Sequence, residues 1–253
     1  MYKMILTDFD HTLLKNDGSI SEKTLITLQK CRQQGIFLAI ATARYWIGAE
    51  KYIQQLKPDY EITTDGTLIH SNDTCVYSCS FGRKKTNNIV REIFNQVPES
   101  EITVACGKTV LWNSKHISES EKLYKAQYCE YDIPIEYEAN KIVASLPSEE
   151  IALSIATKTD CKLQCYRGEN WYAFLPNGAG KTAAIKELTK ICNIQLAEVV
   201  AFGDDKNDID MLKICGKGIA VANAIKEVLE IADEVTESNE EDGVANWLEK
   251  NYT

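Results

Sequence analysis

Two carboxylates stand two residues apart near the start of the chain, Asp8 and Asp10, just after the short apolar run Met4–Leu6. If that run is a strand, positions i and i+2 point to one face. Both carboxylates then sit at its carboxyl end, where open α/β sheets build their sites. Taken alone, the pair fits a polar strand end or a turn equally well. A second acidic segment, Gly203-Asp204-Asp205-Lys206-Asn207-Asp208, follows the apolar run Val199–Phe202. Most acidic loops are simply solvated. Two of them at one edge of one sheet favour a hard divalent cation, and ligands that are all oxygen suit Mg²⁺, which keeps several waters and partners phosphate substrates.

Two further segments supply groups of the opposite character. Ala41-Thr42-Ala43-Arg44 ends another apolar run and leads into a helical pattern. A hydroxyl and backbone N–H groups at a helix start can hold an anion, although an ordinary Thr cap accounts for it alone. Gly178-Ala179-Gly180-Lys181-Thr182 invites comparison with a phosphate-cradling P-loop, but Leu175 occupies the position of the first glycine and Pro176 follows it. Lys181 therefore reads as a single cation at a helix start, with a surface lysine as the plain alternative. Charge favours the combination. Asp8, Asp10, Asp204 and Asp208 carry −4 when ionised, and a phosphate monoester adds about −2. Like charges at about 4 Å repel by about 4 kcal/mol at an effective dielectric of about 20. A divalent ion, Lys181 and a protonated Asp10 relieve that repulsion.

The elements that must position these groups alternate. Ser21 caps a helix carrying Leu25 and Leu28 that Gly35 ends. Strand Ile36–Ala41, a helix from about Tyr45 to Leu56 and strand Ile62–Thr64 follow. Alternation predicts a doubly wound, mostly parallel sheet with helices on both faces. Leu68–Ile69 and Val76–Tyr77 flank a hairpin turn at Ser71-Asn72-Asp73. A helix over Ile89–Val97, then strands Ile102–Ala105 and Val110–Trp112, form one helix–strand–strand unit. Strand Ile142–Leu146, helix Glu149–Thr157 and strands Leu163–Tyr166 and Trp171–Phe174 repeat the theme. Alternation returns with a helix from Gly180 to about Ile191, strand Val199–Phe202, helix Ile209–Leu212, strand Ile219–Val221 and helix Ala224–Ile231. The expected organisation is an α/β core from residues 1–81 and 173–253, with an α+β cap inserted over 82–172.

Composition narrows the function. The 253 residues are 44% hydrophobic, enough for a sizeable core, and the formal charge is −9. An acidic chain argues against nucleic acid or an anionic membrane as partner. No run approaches the roughly 18 apolar residues of a membrane span, and the first residues lack the pattern of a signal peptide. A cytoplasmic, reduced protein is expected. The nine cysteines include the pairs Cys75/Cys79 and Cys161/Cys165. Neither pair has a nearby His or second Cys pair at zinc spacing, so both read as plain thiols.

In this order, the four segments resemble the haloacid dehalogenase superfamily of phosphohydrolases, and within it the Cof-type branch with a large α/β cap. Asp8-Phe9-Asp10-His11-Thr12-Leu13 matches the first motif except that His11 replaces the usual Gly. Thr42 matches the second, Lys181 the third, and Gly203–Asp208 followed by Met211-Leu212 the fourth. Asn223-Ala224, Val235-Thr236 and Asp242-Gly243-Val244 fit the tail, whereas Asp65-Gly66 stands where the branch usually has Asn-Gly. Between about 82 and 172 the likeness is architectural only. The resemblance implies a phosphatase acting on small phosphorylated metabolites such as sugar phosphates. It implies Asp8 as nucleophile and Asp10 as acid and base. It implies Mg²⁺ on Asp8, the Asp10 carbonyl and Asp204, with Asp208 behind. It implies phosphate held by Thr42, Lys181, Asn207 and the N–H groups of Phe9 and Ala43.

Three rivals remain open at this stage. A phospho-accepting receiver domain uses similar groups, but its acidic pair is consecutive and it lacks a large insertion. A P-loop hydrolase would bind ATP independently of Asp8. A phosphomutase would share the first chemical step. Selectivity is expected from the cap, where Tyr124, Tyr128, Tyr166 and Trp171 are candidates. Core packing is the commoner role of such rings.

Overall fold

The computed structural model describes residues 2–114, 125–166 and 170–252. Two compact units emerge, one of Met1–Ala43, Tyr52–Val76 and Gly180–Thr253, the other of Arg44–Lys51 and Tyr77–Ala179.

The first unit is built on an eight-stranded sheet. In chain order its strands are β1 (Met4–Thr7), β2 (Phe37–Ala41), β3 (Tyr60–Thr63), β4 (Leu68–Ser71) and β5 (Thr74–Ser78). Strands β12 (Val199–Gly203), β13 (Lys217–Val221) and β14 (Glu234–Thr236) complete it. The spatial order is β14-β13-β12-β1-β2-β3-β4-β5. Every pairing from β14 through β3 is parallel, and β3 and β4 pair antiparallel. Met4, Ile5 and Leu6 are wholly buried, as are Leu38–Ala41, Val199–Phe202 and Ile219–Val221. Such unbroken apolar runs are what a strand needs when helices cover both of its faces. The chain leaves β1 for β2 on one side and returns as β12 on the other. This reversal opens a crevice at the carboxyl ends of the strands, the place where open α/β sheets bind ligands.

Helices α1 (Glu22–Gln33), α2 (Trp46–Leu56), α5 (Lys181–Cys192), α6 (Ile209–Ile214), α7 (Lys226–Ile231) and α8 (Gly243–Tyr252) alternate with these strands. Ser21 caps α1 as expected, its side chain accepting from the Thr24 N–H. The turn between β4 and β5 places Asn72 and Asp73 at positive φ, 48° and 64°. This is the left-handed pair that favours Asn and Asp in a two-residue hairpin. Strand β14 and helix α8 were not anticipated as elements, because only three residues pair in β14 and α8 begins at a glycine.

The second unit carries a six-stranded sheet of order β10-β11-β9-β6-β7-β8. Its members are β6 (Ile102–Cys106), β7 (Thr109–Trp112), β8 (Gln127–Tyr128), β9 (Lys141–Ser145), β10 (Lys162–Cys165) and β11 (Trp171–Leu175). Helices α3 (Arg83–Gln96) and α4 (Glu149–Thr159) pack on one face. That face collects Ile102, Val104, Ile142, Ala144, Tyr172 and Phe174 against Ile89, Ile93 and Ile155. The two expected helix–strand–strand repeats are therefore present, α3-β6-β7 and α4-β10-β11. Strand β11 continues to Leu175, beyond the expected boundary at 172. It keeps pairing because Trp171–Phe174 are held by β9 on one side while β10 reaches Leu175 on the other. Among the described residues no helix is long and apolar enough to cross a membrane.

Candidate active site

Asp8 is the first residue past β1, and its N–H still donates to the Phe202 carbonyl of β12 at 3.1 Å. Asp204 stands one residue past β12. Neighbouring parallel strands thus deliver both carboxylates to one edge. Asp208 joins them from the turn that starts α6. Its Oδ2 accepts from the N–H of Asp204 at 3.1 Å and of Asp205 at 3.3 Å. Gly203 permits this approach, because a β-carbon there would lie 2.6 Å from that of Asp208.

Lys181, the first residue of α5, completes the cluster. Its Nζ donates to Asp8 Oδ1 at 2.5 Å and to Asp208 Oδ1 at 2.6 Å. All four side chains are buried. The surface-lysine and P-loop alternatives both fail on this geometry, since the ammonium is committed to two carboxylates. Asp8, Asp204 and Asp208 each bring an oxygen within 4.8 Å of the others. Three buried carboxylates against one ammonium leave an excess of two negative charges, so the donor set fits a hard divalent cation.

Electrostatics bear the mark of that excess. Burial pushes the Asp8 carboxyl well above its ordinary range; Lys181 opposes the shift, and Asp208 and Asp204 add to it. Burial likewise pushes Asp204 up to about 6, partly offset by the Thr12 hydroxyl and reinforced by Asp208. Burial would lower the Lys181 ammonium, but the nearby Asp208 and Asp8 outweigh it and hold the group protonated. The two carboxyl shifts express the cost of an ion removed from water, and the Lys181 shift expresses the pull of its carboxylate neighbours.

The residues after Asp8 form a tight turn over Phe9–Leu13, closed by Leu14 N–H to the Phe9 carbonyl at 2.8 Å. Phe9 is buried against Tyr52, with ring centroids 5.5 Å apart. Asp10 is half-buried and its carboxylate is not one of the three that cluster. His11 adopts φ 59°, and Asp65 adopts φ 56°. Both departures from the family pattern thus occupy left-handed positions. His and Asp enter that region more readily than most side chains, so the backbone shape survives without Gly or Asn.

Thr42 is buried one residue past β2, and its N–H donates to the Ile62 carbonyl at 2.9 Å. Helix α2 begins only at Trp46. That agrees with the expected start near Tyr45, and it sets aside the plain reading of Thr42 as the helix cap, since strand pairing continues through its amide and Ala43, Arg44 and Tyr45 intervene. Ala43 and Asn207 are half-buried. Thr12 was not singled out from sequence, yet its hydroxyl donates to Asp204 Oδ1 at 2.7 Å. Its place four residues after the first carboxylate was the available signal. Asn223, noted only as part of the tail pattern, donates to the His11 carbonyl at 2.7 Å.

Residues 5–248 match the family model described as haloacid dehalogenase-like hydrolase. The chain is 24% identical to the 5-amino-6-(5-phospho-D-ribitylamino)uracil phosphatase YitU of Bacillus subtilis, with 99% of this chain and 97% of that protein aligned. Its fold is shared by a haloacid dehalogenase-like hydrolase from Bacteroides thetaiotaomicron, at TM-score 0.84 and 23% identity over all of both chains. It is shared also by the subclass IIB sugar phosphatase BT4131, at TM-score 0.82 and 19% identity over 98% of each.

Proposed function

Because the chain belongs to the haloacid dehalogenase-like hydrolases and is a phosphatase, we propose that it hydrolyses small phosphomonoesters with Mg²⁺, through a phosphorylated Asp8. The observation that carries this is the buried Asp8–Lys181–Asp208 chain with Asp204 beside it, at the carboxyl ends of β1 and β12. Asp8, Asp204 and the Asp10 carbonyl would hold the metal, with Asp208 supporting it. When bound, Mg²⁺ neutralises negative charge on the carboxylates and the phosphoryl oxygens.

The side chains then divide the work. An Asp8 oxygen attacks phosphorus as the bond to the ester oxygen breaks. Asp10, entering as the acid, gives its proton to the departing alkoxide. As a carboxylate it next takes a proton from water, whose oxygen attacks the phosphorus of the aspartyl phosphate. Inorganic phosphate leaves and Asp8 returns to a carboxylate. Thr42, Lys181, Asn207 and the N–H groups of Phe9 and Ala43 would hold the phosphoryl oxygens, so catalysis rests on positioning and charge balance. Residues 82–172 would act as a cap that selects the leaving group. The names of the related phosphatases favour a phosphorylated polyhydroxy compound, and the reading places the protein in the cytoplasm.

The test is hydrolysis of 4-nitrophenyl phosphate with Mg²⁺, with chelator, and by Asp8→Asn. Activity should vanish with chelator, return with Mg²⁺ and be lost in the variant, with the fold retained. Full turnover by Asp8→Asn would overturn the covalent route. Release of inorganic phosphate from a hexose phosphate, rather than its isomer, separates hydrolysis from mutase chemistry.

A further inference from the structure

Helices α3 and α4 bury their apolar sides on one face of the six-stranded sheet. Their outer sides and Pro134 bound a groove of about 870 Å³. Five cations line it, Arg83, Lys84, Lys85, Arg91 and Lys158, with one carboxylate, Asp160. All of them belong to the second unit. The chain as a whole carries −9, so this concentration of positive charge runs against its composition. Glu136 lies 3.4 Å from Arg83, and Glu92 lies 2.9 Å from Lys158. With both of these acids counted, five cations still face three carboxylates.

The placement is also contrary to what α3 itself prefers. The first turn of a helix is its positive end, which favours Asp and Glu and disfavours Lys and Arg. Helix α3 opens with Arg83-Lys84-Lys85, has no acidic residue in its first turn, and starts from Gly82, which offers no side-chain cap. From Arg83 to Arg91 the chain holds four cations and no acid. A local rule broken in this way marks a place where function outweighs helix stability. The walls, by contrast, are fixed. Asn87 Oδ1 accepts from the Ile135 N–H at 2.8 Å and its Nδ2 donates to the Ile135 carbonyl at 2.9 Å, which seats the segment at Pro134 on α3. Lys85 Nζ donates to the Asp160 carbonyl at 2.6 Å, and Asn177 Nδ2 donates to the same oxygen at 3.1 Å, which ties α3 to the end of α4. A groove built beforehand costs its ligand little ordering.

Lys84 and Arg91 stand seven residues apart on α3, which is about 10 Å along its axis. One tetrahedral oxyanion does not span that distance, and the groove has the volume of a site for a larger molecule. We propose that this groove binds a small anion carrying several phosphoryl groups, an oligophosphate that is either free or part of a nucleotide. Guanidinium forks and ammonium groups suit its oxygens, and the N–H groups at the start of α3 add donors. The acidic remainder of the chain repels a long polyanion, which favours a short one. The site goes beyond the phosphatase reading and stands without it.

The probe is sodium tripolyphosphate, titrated calorimetrically into the full chain after divalent metal has been removed on a chelating resin. The expected Kd is below about 1 mM, roughly tenfold or more tighter than for inorganic phosphate, and it should weaken as salt is raised. Lys84 and Arg91 are both exposed, so reversing their charge leaves the core untouched. Lys84→Glu combined with Arg91→Glu should raise Kd by about tenfold or more and leave hydrolysis of 4-nitrophenyl phosphate with Mg²⁺ at the wild-type rate. Wild-type affinity in that double variant, or tripolyphosphate bound no better than phosphate, overturns the proposal. If the double variant does not fold by circular dichroism, Lys84→Ala and Arg91→Ala should each weaken binding by about threefold, and wild-type affinity in both counts against the site. A nucleoside triphosphate bound more tightly than tripolyphosphate assigns a nucleotide to the groove, and equal binding assigns the phosphate chain alone. Single-stranded DNA bound as tightly as either overturns the restriction to a small anion.

Discussion

A β-carbon built on Gly66 would lie 2.3 Å from the carbonyl carbon of Gly180 and 2.6 Å from the amide nitrogen of Lys181. Gly66 therefore sets how closely the loop after β3 packs on the start of α5, and α5 is what delivers the ammonium to Asp8. Gly66 also has φ +81°, in the region that glycine adopts without strain. We expect Gly66→Ala to fail on both counts, since no flexible side chain is there to give way. The substitution should displace Lys181, cut kcat by more than tenfold and lower the melting temperature by several degrees. A variant with wild-type kcat and melting temperature would show that the contact is not needed for the site.

Much of this arrangement was legible in the sequence, for a physical reason. Asp8, Thr42 and Asp204 each follow an apolar run, and in a parallel sheet such runs end at one edge. Lys181 was legible as a cation, but not as the bridge between Asp8 and Asp208, because that depends on the close approach at Gly66 and Gly203. Tertiary hydrogen bonds such as Thr12 to Asp204 leave little trace in periodicity. The burial of Lys141 was invisible for the opposite reason: a lysine within a strand reads as solvent-facing until the rings of Tyr45 and Tyr166 are found over its ammonium. Among the suggested selectivity residues, Trp171 packs edge-on against Trp112 and Tyr166 lies beside the Lys141 ammonium. Tyr128 is about half exposed, with its hydroxyl on Glu130, and Tyr124 lies outside the described residues.

Lys181→Met should separate the charge of the ammonium from its bulk. The substitution leaves Asp8 and Asp208 buried without their cation, and breaking such a pair by removing one partner typically costs about 3–5 kcal/mol. Turnover should fall to background. Unfolding by denaturant in chelator should reveal a large loss of stability at pH 8. The loss should shrink toward pH 5, where the orphaned carboxyls can take up protons. A loss independent of pH would mean that packing, not charge, is what Lys181 contributes.

The raised Asp204 carboxyl makes a prediction for the metal-free protein. Its folded-state value of about 6 exceeds the ordinary 3.8. The folded state thus binds the proton more tightly than the unfolded chain does. The resulting stability is complete below about pH 4 and is lost as pH rises through about 6. In chelator, wild type should accordingly lose stability relative to Asp204→Asn between pH 4 and pH 7. Mg²⁺ should act in the opposite direction, stabilising the wild type more as pH rises, because binding must displace that proton. Denaturant titrations of both proteins across this range, with and without Mg²⁺, measure the difference. A constant difference would show that Asp204 titrates alike in folded and unfolded chains.

Thr12→Val removes one hydroxyl and changes little else. The Thr12 Oγ1 to Asp204 Oδ1 bond is 2.7 Å long and buried. It favours the carboxylate over the acid, and so counters the burial that raises Asp204. Without it the proton should bind more tightly, and Mg²⁺ must then compete harder for the same oxygen. A hydrogen bond to a charged group is worth about 1.5–3 kcal/mol, which corresponds to a rise of about tenfold or more in the Mg²⁺ concentration for half-maximal activity. The signature is the pH dependence. The deficit should be larger at pH 6 than at pH 9, where wild type and variant are both largely ionised. Activity measured against Mg²⁺ concentration at the two pH values decides the matter. An equal deficit at both would mean that Thr12 orients Asp204 without tuning its ionisation, and no deficit at either would remove Thr12 from the site.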